Sequence, residues 1–230
     1  MGFDYSLSAS KLGVLLDCER CFYDANMHKV SRPRGIFPSL PGGVDRVSKN
    51  YLDQFRGQTP PHLIGQISGR LWGTSSQITK LRNWRSGLKS TMTIRGKTVG
   101  MIGALDDLII EDDGSYSPYD VKTKGAEPTS DGSEYYQGQL DVYALLLREN
   151  GMMPSGKAYL DYWFPISQDG MAMSWSNRLF TLTADHGRAV DVLDRAVAVL
   201  SGEQPDPSDG CEYCSFVVAR MTSTISPSRK

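Results

Sequence analysis

The chain has 230 residues, 40% of them hydrophobic and 22% charged, a composition that suits a globular protein long enough to bury one sizeable core. Its 25 Lys and Arg against 26 Asp and Glu give a formal net charge of −1, which excludes coating of nucleic acid by bulk positive charge and makes any such contact local. Met1-Gly2-Phe3-Asp4 carries no basic patch leading into an apolar stretch, and no run approaches the ~20 apolar residues of a membrane span, so a cytoplasmic single domain over 1–230 without a membrane partner is expected.

In chain order, apolar residues at Leu12, Leu15, Leu16, Phe22 and Tyr23 predict an amphipathic helix within Leu7–Lys29, entered through Ser8 or Ser10. The prolines and glycines of Ser31–Gly43 predict an irregular loop, followed by a second helix from about Val44 to Arg56 that ends before Pro60-Pro61. From Gly57 to Leu105 stand seven basic residues (Arg70, Lys80, Arg82, Arg85, Lys89, Arg95, Lys97) and no acidic one. Trp72 and Trp84 lie in the same tract, so charge and aromatic rings combine as in grooves that track single strands; a solvated basic face over two core tryptophans fits the pattern equally.

Thr91–Ile110 alternates as strands with a hairpin turn at Gly96-Lys97, and Asp112-Asp113-Gly114 turns into a strand over Tyr116–Thr123, giving three successive antiparallel strands. Ser133–Arg148 takes the helical period and ends at Asn150-Gly151. Strands over Lys157–Pro165 and Met173–Leu182 flank an Asp169-Gly170 turn. Thr183 or Asp185 caps a last helix whose Val190, Leu193, Val197 and Leu200 form one stripe. The tail after Ser201 is rich in Pro and Ser apart from a cysteine pair.

Chemistry concentrates in two places. Gly103-Ala104-Leu105-Asp106-Asp107 reads as a hairpin, and it precedes Tyr119-Asp120-Val121-Lys122-Thr123. Alternation puts Asp120 and Lys122 on one face of a strand, where Asp106 of the neighbouring strand can join them. Two carboxylates, the Val121 carbonyl, water and a substrate phosphate can complete an octahedral Mg²⁺ shell. Such a metal activates water, and Lys122 orients that water or steadies charge on the phosphate. By itself Asp-x-Lys is also the pattern of a solvated strand face. Gln139 and Tyr143, four apart, share a helix face, as would an exposed Gln beside a buried Tyr. Asp106 and Asp107 point to opposite faces, so one of them ligates.

The second place is Cys18-x-x-Cys21, within 1–30, together with Cys211-x-x-Cys214, within 201–230. The four thiolates match a tetrahedral Zn²⁺ or a [4Fe–4S] cluster that would staple the first helix to the tail. Four unligated thiols are the alternative.

Taken together, Ser8-Ala9-Ser10-Lys11-Leu12 leading to Cys18-Glu19-Arg20-Cys21-Phe22-Tyr23, Gly103 to Asp106, Asp120-Val121-Lys122-Thr123, Gln139-Leu140-Asp141-Val142-Tyr143 and Cys211-Glu212-Tyr213-Cys214 make the chain resemble the PD-(D/E)xK nuclease superfamily. Within it, the chain is most similar to RecB-like exonucleases of the CRISPR-associated, iron-sulfur branch. The resemblance implies an α/β restriction-endonuclease-like mixed sheet flanked by helices, Asp106 and Asp120 as ligands of Mg²⁺ or Mn²⁺, Lys122 as catalytic lysine, and Gln139 and Tyr143 lining the DNA site. It further implies an exonuclease on single-stranded DNA ends, a [4Fe–4S] cluster on Cys18, Cys21, Cys211 and Cys214, and protein partners from CRISPR adaptation, phage or repair complexes.

The chain departs from that pattern twice. Relatives often carry a metal-binding histidine upstream of the hairpin, whereas His62 lies in a Pro-rich loop and His28 ends the first helix. Asp45 is the substitute ligand, although an acid in a helix's first turn is also favoured by the dipole. The usual third C-terminal cysteine is missing, since Ser215, Phe216 and Arg220 follow Cys214, and Cys21 takes its place. Two rival functions are a DNA-binding or assembly subunit that keeps the nuclease core as scaffold, and a zinc-containing interaction domain.

Overall fold

Described over residues 2–35 and 39–223 by a computed structural model, the chain is a mixed α/β fold whose strands form two hydrogen-bonded sets flanked by helices. A three-stranded set runs in the order β1 (Tyr5–Leu7), β4 (Lys97–Gly103), β3 (Leu88–Ile94), with β1 parallel to β4. A five-stranded set runs β2 (Gly69–Leu71), β5 (Asp107–Glu111), β6 (Tyr116–Thr123), β7 (Lys157–Asp169), β8 (Ala172–Thr183); β6 and β7 are parallel and the other pairs antiparallel. The helices are α1 (Ala9–Asp17), α2 (Glu19–Tyr23), α3 (Ser39–Leu52), α4 (Ser75–Arg82), α5 (Ser133–Glu149), α6 (His186–Ser201) and α7 (Glu212–Thr222).

Helix α5 joins the two strand sets, and its stretch from Leu140 to Leu147 is buried without a break. Val142, Leu145 and Leu146 pack with Leu7, Val99 and Met101 of the small set and with Leu193 and Val197 of α6. Leu140, Tyr143, Ala144 and Leu147 pack with Leu108, Leu160 and Tyr162 of the large set. A helix covered on both flanks is apolar around most of its circumference. Beyond the large set, Ile109, Tyr119, Val121 and Tyr159 meet Leu52 of α3 and Leu63. Tyr119 and Val121 thus face that core, and Asp120 between them faces α5.

Several expectations are corrected. The three successive antiparallel strands do not form, because β4 and β5 belong to different sets, and Gly103–Asp107 is a crossover and not a hairpin. Packing pins it there. Leu105 is buried and its N–H donates to the Leu81 carbonyl, while a Cβ on Gly103 would stand 2.4 Å from Leu146 Cδ1. The β3–β4 turn is Arg95-Gly96, one residue early, with φ of 48° and 73°, the left-handed pair of a two-residue hairpin loop.

The first helix is capped by Ser8, whose hydroxyl accepts from the Lys11 N–H, but it breaks at Cys18, which is extended at φ −160° and ψ 115°. After α2 comes a wider turn over Asp24–His28. Helix α3 starts at Ser39, five residues before Val44, because Pro41 falls in the first turn where a missing N–H removes no helical bond. Residues 36–38 of the expected loop lie outside the described residues. The β7–β8 hairpin extends beyond the expected strand ends at Pro165 and Met173. Elements β1, β2, α4 and α7 were not expected, although α4 carries a readable signature, the Thr74/Gln77 capping box.

Candidate active site and cysteine centre

The antiparallel ladder pairs Asp107 with Tyr119 and Leu108 with Pro118. One more step in the same register sets Asp106 opposite Asp120, on the face away from Asp107 and Tyr119. Asp120 is 1% exposed, and Lys122, two residues on, brings its Nζ to 2.5 Å from Asp120 Oδ2. From α5, Gln139 Nε2 lies 3.5 Å from Asp120 Oδ1 and 2.5 Å from the Tyr143 hydroxyl, which donates to the Ala104 carbonyl at 3.0 Å. From α3, Asp45 approaches Asp106 through Lys49, whose Nζ stands 2.9 Å from Asp45 Oδ1 and 2.8 Å from Asp106 Oδ1. The structure therefore brings Asp106, Asp120, Lys122, Gln139 and Tyr143 together from the β5–β6 pair and α5, with Asp45 of α3 joined to them only through Lys49, so the three carboxylates do not themselves lie close enough for one ion. Val121 lines a cavity of about 310 Å³ together with Asp45, Lys122 and Tyr136, while its side chain belongs to the core around Tyr119.

Burial pushes the Asp120 carboxyl up to about 6; the Lys122 ammonium opposes that shift and the nearby Asp106 carboxylate adds to it. Burial works against the Lys122 charge, but Asp120 and Asp106 outweigh it and hold the ammonium above its ordinary value. Lys49 is likewise raised, its own burial overcome by Asp106 and Asp45. Asp120 Oδ2 is buried, and the Lys122 ammonium at 2.5 Å is what compensates its charge. The carboxylate oxygens are hard donors of the kind a hard divalent cation takes, and the two ammonium groups now compensate their charge. Sequence reasoning missed Lys49. The Asp45–Lys49 spacing of four residues was the available signal, and on a helix it ordinarily marks a surface pair.

Asp107 is not part of this group. It is 1% exposed and takes a two-pronged contact from Arg56, at 2.7 Å and 2.5 Å, plus Arg82 at 3.0 Å. Arg82 is thereby removed from the basic tract, and Arg95 is paired with Asp194. Trp72 packs against the core, whereas Trp84 is 66% exposed and carries the Arg85 guanidinium 4.8 Å from its ring centre. His62 sits with Tyr51 and Trp163 beside Asp161, and His28 pairs with Asp24.

At the second centre, the break at Cys18 turns that thiol inward, and Cys211 leads into α7. Among the described residues, the four cysteines are the one group of three or more metal-ligating side chains gathered closely enough for one ion, with all four ligand atoms within 4.8 Å of one another. They can hold a metal or a cluster. No helix among the described residues is long and apolar enough to cross a membrane.

The fold is mixed α/β, with paired acids on adjacent strands and a lysine two residues beyond the second. The chain belongs to the PD-(D/E)XK nuclease superfamily, whose family profile matches residues 43–219. That span holds the whole carboxylate site and the second cysteine pair, and it leaves out the first pair. No curated protein matches the chain. Among solved structures it is similar to one reported as "Crystal structure of SSO0001", at 15% identity and a TM-score of 0.41, covering 95% of this chain and 86% of that one.

Proposed function

We propose that this protein is a Mg²⁺- or Mn²⁺-dependent deoxyribonuclease, an exonuclease that acts on single-stranded DNA ends. The β5–β6 register carries the reading: it faces Asp106 with Asp120 and leaves Lys122 against Asp120. Asp106 and Asp120 would hold the metal, with Asp45 and the Val121 carbonyl beside them, and the buried Asp120 Oδ2, compensated by the Lys122 ammonium alone, is a carboxylate oxygen that a cation could share. When bound, the metal supplies an acidified water and neutralises charge on the phosphodiester.

The chain's own side chains do the positioning. Lys122, kept protonated by its carboxylate neighbours, places positive charge where the phosphate gains negative charge and can hydrogen-bond the attacking water. Gln139 steadies Asp120 Oδ1 and is itself tied through Tyr143 to the Ala104 carbonyl, which fixes the carboxylate's orientation. Lys49 pairs with both Asp45 and Asp106. The exposed Trp84 with Arg85 is suited to stacking a base and meeting its phosphate. The complete acid–lysine set favours catalysis over a scaffold role, because burying Asp120 without a use for its charge only costs stability.

End-labelled linear and circular single-stranded DNA, each with Mg²⁺ or Mn²⁺, test this. Linear strands should be degraded and circles spared, and Asp120→Ala or Lys122→Ala should lower the rate by about 10²-fold or more with the circular dichroism spectrum unchanged. Equal cutting of circles would remove the exonuclease assignment, and parental rates in both variants would remove the site.

A further inference from the structure

We propose that the four cysteines hold a single zinc ion and not the four-iron cluster that the family resemblance implies. The spacing of the sulfurs decides it. Cys21 Sγ lies 3.6 Å from Cys214 Sγ and 3.7 Å from Cys211 Sγ, and Cys18 Sγ lies 3.9 Å from Cys214 Sγ. Every pair among the four is within 4.8 Å. A zinc–thiolate bond of about 2.3 Å in a tetrahedron puts neighbouring sulfurs about 3.8 Å apart, the spacing of three of the six pairs here, with the other three no wider than 4.8 Å. In a cubane each thiolate binds a different iron, so the four sulfurs stand outside the corners of the whole cluster and spread wider than any one-ion tetrahedron. Four thiols this close leave room for one atom between them and no room for eight.

The sequence spacing agrees. Each pair is a Cys-x-x-Cys whose first member precedes a helix and whose second lies in that helix's first turn, Cys18 and Cys21 at α2, Cys211 and Cys214 at α7. Two such two-residue chelates meeting face to face complete a closed, four-coordinate structural site with no open position. The departure in the C-terminal cysteine count then has a physical meaning: the pattern is two plus two, a common arrangement for four ligands of a single structural ion.

The surroundings match the charge. Four thiolates on Zn²⁺ carry a net charge of −2 once the four thiol protons have been released to solvent. Arg32 supplies a compensating cation: its Nη2 stands 3.7 Å from Cys211 Sγ, its guanidinium also contacts Asp17, and it lies over the Tyr213 ring at 4.5 Å. Its side chain is 19% exposed, so the guanidinium is held in place by these three contacts. Arg32 is accordingly a positioning residue for the centre, acting on the sulfurs and not on the metal directly.

The test uses the full chain expressed with both iron and zinc supplied and purified without oxygen or chelator. Elemental analysis should find about one zinc per chain, with no acid-labile sulfide and no visible absorbance. Exchange of that zinc for Co²⁺ should give the blue-green bands of a tetrahedral thiolate site, and Arg32→Ala should weaken zinc binding by roughly 10–100-fold in competition with a chromogenic chelator. A brown protein with about four irons and matching sulfide, one iron per chain without sulfide, or a chain without bound metal would each overturn the proposal. These readouts do not depend on nuclease activity, so they succeed or fail apart from the carboxylate site.

Discussion

Asp120 is ionised in a setting that resists ionisation, and that tension sets the pH response of the site. Its carboxyl is shifted from 3.8 up to about 6 by burial, against the pull of Lys122. The folded, metal-free protein therefore binds this proton more tightly than the unfolded chain does, and the stabilisation from that proton is full below the unfolded value and lost as pH rises through about 6. A cation competes with the same proton. Mn²⁺ affinity measured by titration calorimetry should rise about tenfold per unit on approach to pH 6 and level off above it; a flat profile between pH 5 and 7 would count against Asp120 as a ligand. At this scale much was legible from sequence. The two-residue step from Asp120 to Lys122 and the four-residue step from Gln139 to Tyr143 follow from strand and helix periods, and the structure brings both pairs together. Lys49 was not legible, because its contact with Asp106 crosses from a helix to a strand far along the chain.

At the scale of elements, the start of β5 separates two adjacent acids by a half-turn of the pleat. Asp106 faces Lys49, while Asp107 is clasped by Arg56 and Arg82. Removing one partner of a buried pair strands the other charge. Asp107→Ala should therefore lower unfolding stability in urea by about 3–5 kcal/mol, whereas Asp106→Ala should change it by about 1 kcal/mol or less while abolishing DNA cleavage. The reverse pattern would mean that the register has been read one residue out. The sequence alone left the two acids undecided, since adjacent positions look alike until a partner strand fixes which face is which. The same limit explains the crossover at Gly103–Asp107: alternation predicts strands on both sides of it, but only packing of Leu105 beneath α4 and of Gly103 against Leu146 sends the chain to the other strand set.

Over the whole molecule, two long-range closures hold the described residues together: the α5 core that joins both strand sets, and the cysteine centre that ties α1–α2 to α7. The cysteine pairs were visible as motifs, yet α7 was overlooked in a Pro- and Ser-rich tail, although Tyr213, Phe216, Val217 and Met221 fall at helical spacing there; all four are exposed. A bound metal there stabilises only the folded chain, so a strong chelator should lower the melting temperature by several degrees, at roughly 2–4 °C for each kcal/mol lost, and an unchanged melt would deny the centre a structural role. The nuclease reading rests on the other site, where the most direct measurement is an anomalous difference map from crystals soaked in Mn²⁺. It should show a peak about 2.1–2.2 Å from a carboxylate oxygen of both Asp106 and Asp120, and a map with manganese elsewhere, or with those two acids still occupied only by Lys49 and Lys122, would contradict it.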